Sequence, residues 1–368
     1  MGLTFLKEHG AHRAGPGDGQ ADLFGDLNAP PEELNSDEEA VDLDYEIAQS
    51  QWAPRSVRQS LAPNDWYWRP LRFVDGKDVG RTAAWMRAPC GRPVPLRIGQ
   101  IGAITLGSVP RDETHLLRTE TCFVDKFVAF MTDLFPWDEV ESFAAALKAQ
   151  GYRLLPVTAE LKEKISPFDY GRLRDSAKSA SINAMLGYER EVLAAKLYPA
   201  VPKSLPTVID GSLQTKAGDF EPTDPVSGVI KSHQIIPLHP RGFQTLEQLG
   251  PGERSPVYER IVKPNDETPL HFLTWFLRLG ALGGETPLQG LVRVEINREF
   301  FEQQQTSKDD FSYVDCLSRF LCLCRTRDEQ YGRAAITIYP IQRAEDVLRS
   351  QFASQETLTN RFFRMTGL

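Results

Sequence analysis

Residues 207–211 have the sequence Thr-Val-Ile-Asp-Gly, a short apolar run that ends on an acid followed by a glycine. Residues 72–76, Arg-Phe-Val-Asp-Gly, repeat this arrangement. Short runs of β-branched and aromatic residues predict buried strands, and the glycine lets the chain turn sharply or another group approach closely. A carboxylate beside a buried strand is costly unless it is paired or binds a metal. We therefore expect Asp75 and Asp210 either to share divalent cations or to open ordinary Asp-Gly turns.

The hydrophobic pattern around these two runs predicts a mixed α/β fold. Strands are expected at residues 72–76, 81–86, 94–106, 205–210, 226–238, 290–296 and 335–339, with a further apolar run at 271–279. Helices are expected at residues 122–134, 139–150, 171–198, 312–324 and 343–352, with a shorter one between residues 245 and 250. The first three strands are expected to be antiparallel. Three strands, then helices, then two further strands favour a mixed sheet flanked by helices over strict βαβ alternation.

The N-terminal region differs in composition from the rest of the chain. Residues 1–60 are expected to form an arm that is partly disordered, because they contain Gly-Pro-Gly at 15–17 and a strongly acidic stretch at 36–46. The arm is either a solvated tail or a segment that folds on a partner. Residues 61–368 are expected to form one main domain with a helical insertion around 120–180.

Composition limits the classes of function. The net charge of −8 argues against a protein that coats DNA through bulk charge. Five cysteines with no disulfide-like spacing fit a reducing cytoplasm. The sequence contains neither a signal peptide nor the roughly 18 uninterrupted apolar residues that span a membrane, so we expect a soluble, cytoplasmic protein. It also lacks a Walker motif, so any ATP-driven step would come from a partner.

The helix expected at 171–198 supplies a third acid. On a period of about 3.6 residues, Glu189 falls on the apolar stripe with Met185 and Val192, whereas Glu191 falls away from it. Glu189 either binds metal or forms a salt bridge on the buried face. Three carboxylates would suit two cations, one lowering the pKa of a water and the other stabilising the leaving oxygen of a phosphodiester. The six histidines show no metal-binding or triad pattern.

These motifs, in this order, resemble those of the NurA family of nucleases. The resemblance covers roughly residues 70–350 and is carried by segments 73–76, 188–191, 208–213, 228–233, 249–258, 275–279, 291–295 and 339–341. It implies an RNase H-like core with extra N-terminal and C-terminal elements, DNA cleavage supported by Mn²⁺ or Mg²⁺, and a homodimer. It also implies a hexameric HerA-type ATPase partner that translocates DNA, in DNA end processing or phage defence.

The resemblance also implies roles for individual residues. Asp75, Glu189 and Asp210 would be metal ligands, and Lys231 would contact a phosphate or steady the transition state. Asp315 would be the fourth acid, from a late helix, and Arg254, Arg278 and Arg293 would contact DNA. Each residue has a plainer alternative: a strand-edge lysine for Lys231, an acid favoured by the helix dipole for Asp315, and structural ion pairs for the arginines.

Three functions are compatible with these sequence features. The first is a divalent-metal nuclease acting on DNA ends. The second is a non-catalytic dimeric adaptor that docks onto an ATPase, which the acidic arm and net charge would suit. The third is an RNA-directed nuclease of the same fold, because discrimination by the 2′-OH depends on pocket shape.

Overall fold

A computed structural model describes twelve segments of the chain, residues 2–14, 38–58, 60–62, 65–111, 114–157, 170–194, 205–216, 219–231, 238–263, 268–280, 289–328 and 330–368. The strands are β1 (His12–Arg13), β2 (Glu38–Asp42), β3 (Arg55–Ser56), β4 (Arg72–Arg87), β5 (Pro93–Arg111), β6 (Thr114–Met131), β7 (Arg153–Val157), β8 (Thr207–Asp210), β9 (Val226–Ile230), β10 (Glu253–Arg254), β11 (Tyr258–Lys263), β12 (Leu270–Arg278) and β13 (Leu291–Asn297). The helices are α1 (Phe5–Glu8), α2 (Trp137–Ala149), α3 (Tyr170–Ala194), α4 (Pro240–Gln248), α5 (Arg298–Gln304), α6 (Ser312–Leu323), α7 (Tyr339–Gln351) and α8 (Gln355–Thr366).

All the strands named above belong to one mixed sheet. Its main path runs β2-β11-β12-β13-β9-β8-β4-β5-β6-β7, while β1 pairs with β4, and β10 pairs with both β12 and β3. Strands β4, β5 and β6 form an antiparallel meander, and β8 runs parallel to both β4 and β9. The prediction of a mixed α/β sheet flanked by helices is therefore confirmed.

The two faces of β4 pack against different helices. Phe73 packs with α6 and α7, in a core cluster that includes Phe320 and Leu348. Val74 faces α3, in a cluster with Val192. Because successive side chains of a strand point to opposite faces, Asp75 faces α7, and a side chain at the next position, Gly76, would face α3.

Residues 122–131 form the second half of β6, and residues 132–134 form a 3-10 turn after it, so the helix predicted at 122–134 is wrong. Phe127, Val128, Ala129 and Phe130 are all fully buried, which means that both faces of the strand are covered. A continuous apolar run gives no periodicity that separates a strand from a buried helix. The third antiparallel strand is therefore β6, and the segments expected as two strands, 72–76 and 81–86, are one strand, β4.

The strand predicted at 335–339 is also wrong. A short 3-10 turn at Ala334–Ile336 leads into α7, and Ile338 forms only an isolated bridge with Arg325. Helix α7 begins four residues before the predicted position 343, with Pro340 in its first turn, where a missing N–H costs nothing. Because of this earlier start, α7 has one further turn at its N-terminal end. Its buried face packs against β4 and β5.

The N-terminal arm contributes an edge strand. Strand β2 pairs antiparallel with β11 at the end of the main path, so this acidic part of the arm is docked on the sheet. Residues 15–37, where disorder was expected, lie outside the described residues, as do residues 195–198 and 232–237 of the predicted helix and strand. Within the described ranges, every helix is too short or too polar to traverse a lipid bilayer.

Candidate metal centre

The register of two parallel strands places Asp75 beside Asp210. Val74 on β4 pairs with Ile209 on β8, so the next residue on each strand is one of the two acids. Helix α7 lies over the same face and adds Glu345. One carboxylate oxygen from each of these three residues lies within 4.8 Å of the others, and within the described part of the chain they form a group that could hold a metal ion. We call these three residues the acid cluster.

Asp75 is the most deeply buried member of the acid cluster. Its side chain is only 3% exposed, and its Oδ2 atom is buried without a hydrogen-bond partner. Burial raises the pKa of Asp75 well above its usual value, the charges of Asp210 and Glu345 raise it further, and Lys231 opposes them. A carboxylate in this environment is costly in its charged form, and a cation placed among the three acids would stabilise it.

Positively charged side chains among the described residues neutralise the negative charge of the acid cluster only in part. Lys231 Nζ lies 2.7 Å from Asp210 Oδ2, so the structure brings this lysine to the acid cluster. Lys77 Nζ and Arg349 Nη2 approach Glu345 Oε2 at only 4.0 and 3.9 Å. Among the described residues Asp75 has no ion pair. Three carboxylates are hard oxygen donors of the kind that Mg²⁺ and Mn²⁺ prefer, and the unsatisfied Oδ2 of Asp75 shows that the group fits such an ion.

The loop after Asp210 is held in place by buried polar contacts. Gly211 has φ of 114°, a conformation that a residue with a Cβ rarely adopts. The Ser212 hydroxyl donates to Glu295 Oε1 at 2.8 Å, and the Leu213 N–H donates to the same oxygen. Arg260 binds the other oxygen of Glu295 at 2.9 Å. Asp210 is therefore followed by a turn whose position is fixed by a buried ion pair on β13 and β11.

Glu189 is buried on α3 and is not a member of the acid cluster, so its predicted role as a metal ligand stays a prediction. Its carboxylate lies against the backbone of Gly76, where a Cβ would stand 2.8 Å from Glu189 Cδ. Glu189 therefore approaches β4 from the face that packs on α3, whereas the side chain of Asp75 points to the face that packs on α7. Glu189 still contributes, as the smallest of the causes, to raising the pKa of Asp75. Glu191 is exposed, so Glu189 is the acid that α3 turns toward the sheet.

The close approach at Gly76 predicts an energetic coupling between Gly76 and Glu189. We expect Gly76→Ala to lower the free energy of unfolding by about 1–3 kcal/mol, because the new methyl group overlaps the Glu189 side chain. In a Glu189→Ala background the same substitution should cost less than half as much, a coupling within the range of about 0.5–3 kcal/mol seen for residues in contact. Urea unfolding of the four proteins measures this coupling.

Gly187→Ala on α3 is the matched control. Apart from the adjacent backbone of α3 itself, no atom of the described chain lies within 4 Å of the position where its Cβ would stand, so this substitution should stabilise the protein by up to about 1 kcal/mol through helix propensity. Equal costs of Gly76→Ala in both backgrounds would contradict the placement of Glu189 against Gly76.

The acid supplied by a late helix is Glu345 rather than Asp315. Asp315 lies on α6, where its Oδ1 accepts from Arg254 Nε at 2.6 Å, and it is not part of the acid cluster. The sequence did contain a signal for Glu345. On α7 it shares the buried face with Ile341, Ala344 and Leu348, the same spacing that singled out Glu189. That stripe is complete only when the helix starts at Tyr339 instead of residue 343.

The three arginines expected to contact DNA have structural surroundings instead. Arg254 is fully buried and binds Glu46 of the arm at 2.9 Å as well as Asp315. Arg278 is buried and donates to the carbonyl oxygens of Leu246, at 3.0 Å, and Gln289. Arg293 is buried on β13. The buried guanidinium groups of Arg254 and Arg278 are bound within the chain and do not face a phosphate backbone, so their assignment to DNA is corrected. Arg293 is likewise buried rather than exposed to DNA.

Comparison with protein-family models and with curated proteins gives no match for this chain. The functional interpretation therefore rests on the acid cluster and its surroundings.

Proposed function

We propose that this protein is a divalent-metal-dependent nuclease that hydrolyses DNA phosphodiesters. The observation that carries the proposal is the acid cluster, in which three carboxylates converge within 4.8 Å and the buried Oδ2 of Asp75 lacks a hydrogen bond. Paired or triple carboxylates at strand ends are the usual ligands for cations that act on phosphate esters.

Asp75, Asp210 and Glu345 would hold the cation. When bound, the cation supplies Lewis-acid stabilisation of the charge that develops on the phosphodiester and activates a water molecule for attack. The chain's own residues prepare the site. Lys231 fixes the orientation of Asp210 through their 2.7 Å ion pair, and its ammonium group would bind a phosphate oxygen beside Asp210. Asp210 is the more exposed of the two aspartates, so substrate approaches from its side.

An RNase H-like core is part of the proposal. Its support is the central path β6-β5-β4-β8-β9, in which three antiparallel strands are followed by two parallel ones. Asp75 lies on the first of these strands in chain order and Asp210 at the end of the fourth. The resemblance of the sequence motifs to NurA nucleases carries the remainder of the proposal, namely cleavage supported by Mn²⁺ or Mg²⁺, a homodimer, and a HerA-type ATPase partner in DNA end processing or phage defence.

A cleavage assay tests this function. The purified protein is incubated with end-labelled single-stranded DNA, double-stranded DNA and sequence-matched RNA, in Mn²⁺, in Mg²⁺ and in EDTA. We expect DNA to be cleaved in a divalent metal and not in EDTA, with a loss of about 10³-fold or more in Asp210→Asn, because a ligand carboxylate is removed.

The other outcomes separate the competing functions. Faster cleavage of RNA than of DNA would show that the substrate is RNA rather than DNA. Cleavage that survives in Asp210→Asn would show that the activity arises elsewhere. A protein that cleaves nothing in either metal, with or without a HerA-type ATPase, would be an adaptor rather than a nuclease.

A further inference from the structure

A cavity of about 440 Å³ opens between the start of β4, the end of α6 and the start of α7. Its floor is apolar, with Phe73 and Phe320 stacked at a centroid distance of 6.3 Å. At its mouth lie Leu323 and Tyr339, which are 53% and 55% exposed. A cavity of this volume with an apolar floor has the dimensions of a small-molecule or cofactor site.

The charged side chains that line the described part of the cavity are all positive. Arg69, Arg325 and Arg327 line it, and its described lining includes no aspartate or glutamate. Arg327 is exposed, and Arg325 is half-buried. Guanidinium groups bind phosphate in a planar, bidentate manner. The chain as a whole has a net charge of −8, so three arginines around one cavity form a local site for an anion.

The cavity and the acid cluster share the same face of the sheet and the same helix. Phe73 precedes Asp75 by two residues on β4 and points to the same face, a separation of about 7 Å. Tyr339 precedes Glu345 by six residues on α7, about 9 Å along the helix axis. A ligand that fills the cavity therefore lies next to whatever binds at the acid cluster.

We propose that this cavity binds one nucleotide of a single DNA strand beside the phosphodiester that is cleaved. The base enters against Phe73 and Tyr339, and its phosphate lies on Arg325 and Arg327. An unpaired base is required, since only an unstacked base exposes its ring faces to aromatic side chains. This inference rests on the proposed nuclease function, and it adds a preference for single-stranded substrate next to the site of cleavage.

The test measures binding without cleavage. Fluorescence anisotropy gives the Kd of a labelled short oligothymidylate in EDTA for wild type, Tyr339→Ala, Arg327→Ala and Leu323→Glu. We expect Tyr339→Ala and Arg327→Ala each to weaken binding by about 5–100-fold, since a stacked base or a charge-assisted bond contributes about 1–3 kcal/mol. Leu323→Glu should weaken it similarly by placing a carboxylate at the mouth. These three positions are at the surface, and circular dichroism verifies that each variant is folded.

Arg361→Ala on α8 is the matched control, because it removes one exposed arginine outside the cavity and should change Kd less than twofold. Thymidine monophosphate should compete with the oligonucleotide more strongly than inorganic phosphate does. Equal competition would overturn the binding of a base in the cavity. Cavity variants that bind as tightly as Arg361→Ala, or a wild-type protein that binds no single-stranded DNA, would overturn the inference as a whole.

Cleavage is measured separately from binding, so a failure of the nuclease proposal can be distinguished from a failure of the cavity proposal. If wild type cleaves DNA while the cavity variants bind and cleave like Arg361→Ala, the nuclease stands and the cavity inference falls. If wild type cleaves nothing while the cavity variants still lose oligonucleotide binding, the nucleotide site stands and the nuclease proposal falls.

Discussion

A Glu345→Gln protein should lose metal-dependent DNA cleavage by about 10³-fold or more, whereas Asp315→Asn should retain it within a few-fold. Both residues lie on helices late in the chain, but only Glu345 places a carboxylate within 4.8 Å of Asp75 and Asp210. The amide of glutamine is close to isosteric with the carboxylate and supplies no negative charge, so the loss reports the ligand rather than packing. Initial rates of cleavage of end-labelled DNA at saturating Mn²⁺ measure the effect.

Asp346→Asn provides the matched control for this comparison. It follows Glu345 directly on α7, but its side chain is exposed, so the substitution should leave the rate unchanged. Asp315→Asn has a different expected effect. It weakens the ion pair with Arg254 and lowers stability, which unfolding in urea detects. A rate that falls in Asp315→Asn and not in Glu345→Gln would reverse the choice of Glu345 over Asp315 as the acid from a late helix.

Local sequence pattern was sufficient to find Asp75 and Asp210. Each acid follows a short apolar run, and a parallel register aligns the two runs. The two following glycines have different purposes, and both were open from the sequence. Gly211 provides a turn with positive φ, whereas Gly76 lies within a continuing strand and leaves room for Glu189. The sequence pattern indicates that each position needs a glycine. Only the fold shows whether the reason is a turn with positive φ or the close approach of another side chain.

The errors have physical causes of the same kind. The segment that forms β6 is buried on both faces, so its apolar residues show no period that distinguishes a strand from a helix. The start of α7 was placed four residues too late, so the apolar stripe that contains Glu345 lacked its first buried members, Pro340 and Ile341. Arg254 was assigned to DNA because sequence gives the charge of a side chain and not its burial. Its partner Glu46 is 208 residues away along the chain, so a pattern within a short stretch of sequence does not reveal this ion pair.

The second large effect is a reversal of stability by metal. In EDTA near neutral pH, Asp75→Asn should have a higher free energy of unfolding than wild type. Asp75 is buried beside two further carboxylates, which raise its pKa together with burial, so its ionised form opposes folding. The neutral amide removes this repulsion. In saturating Mn²⁺ the order should reverse, because wild type gains about 2.7 kcal/mol when free metal is about 100 times Kd, and the variant has lost a ligand.

The pH dependence has a defined sign. A raised pKa in the folded state means that folding takes up a proton, so this group destabilises the metal-free protein as pH rises through the folded-state pKa. As pH falls from that value toward the ordinary pKa of aspartate, wild type should gain stability that Asp75→Asn does not gain. The advantage of the variant in EDTA should therefore shrink. Urea unfolding at several pH values, with and without Mn²⁺, measures both effects.

Asp346→Asn separates the metal effect from a general change of charge, since it should follow wild type in EDTA and in Mn²⁺ alike. If Asp75→Asn is less stable than wild type in EDTA and gains as much from Mn²⁺, the acid cluster is a structural ion network and not a metal site. The expected reversal needs both properties at once. Repulsion among the carboxylates must destabilise the empty site, and the same carboxylates must bind the cation that removes it. This is the energetic arrangement that a carboxylate metal centre has and a buried salt bridge lacks.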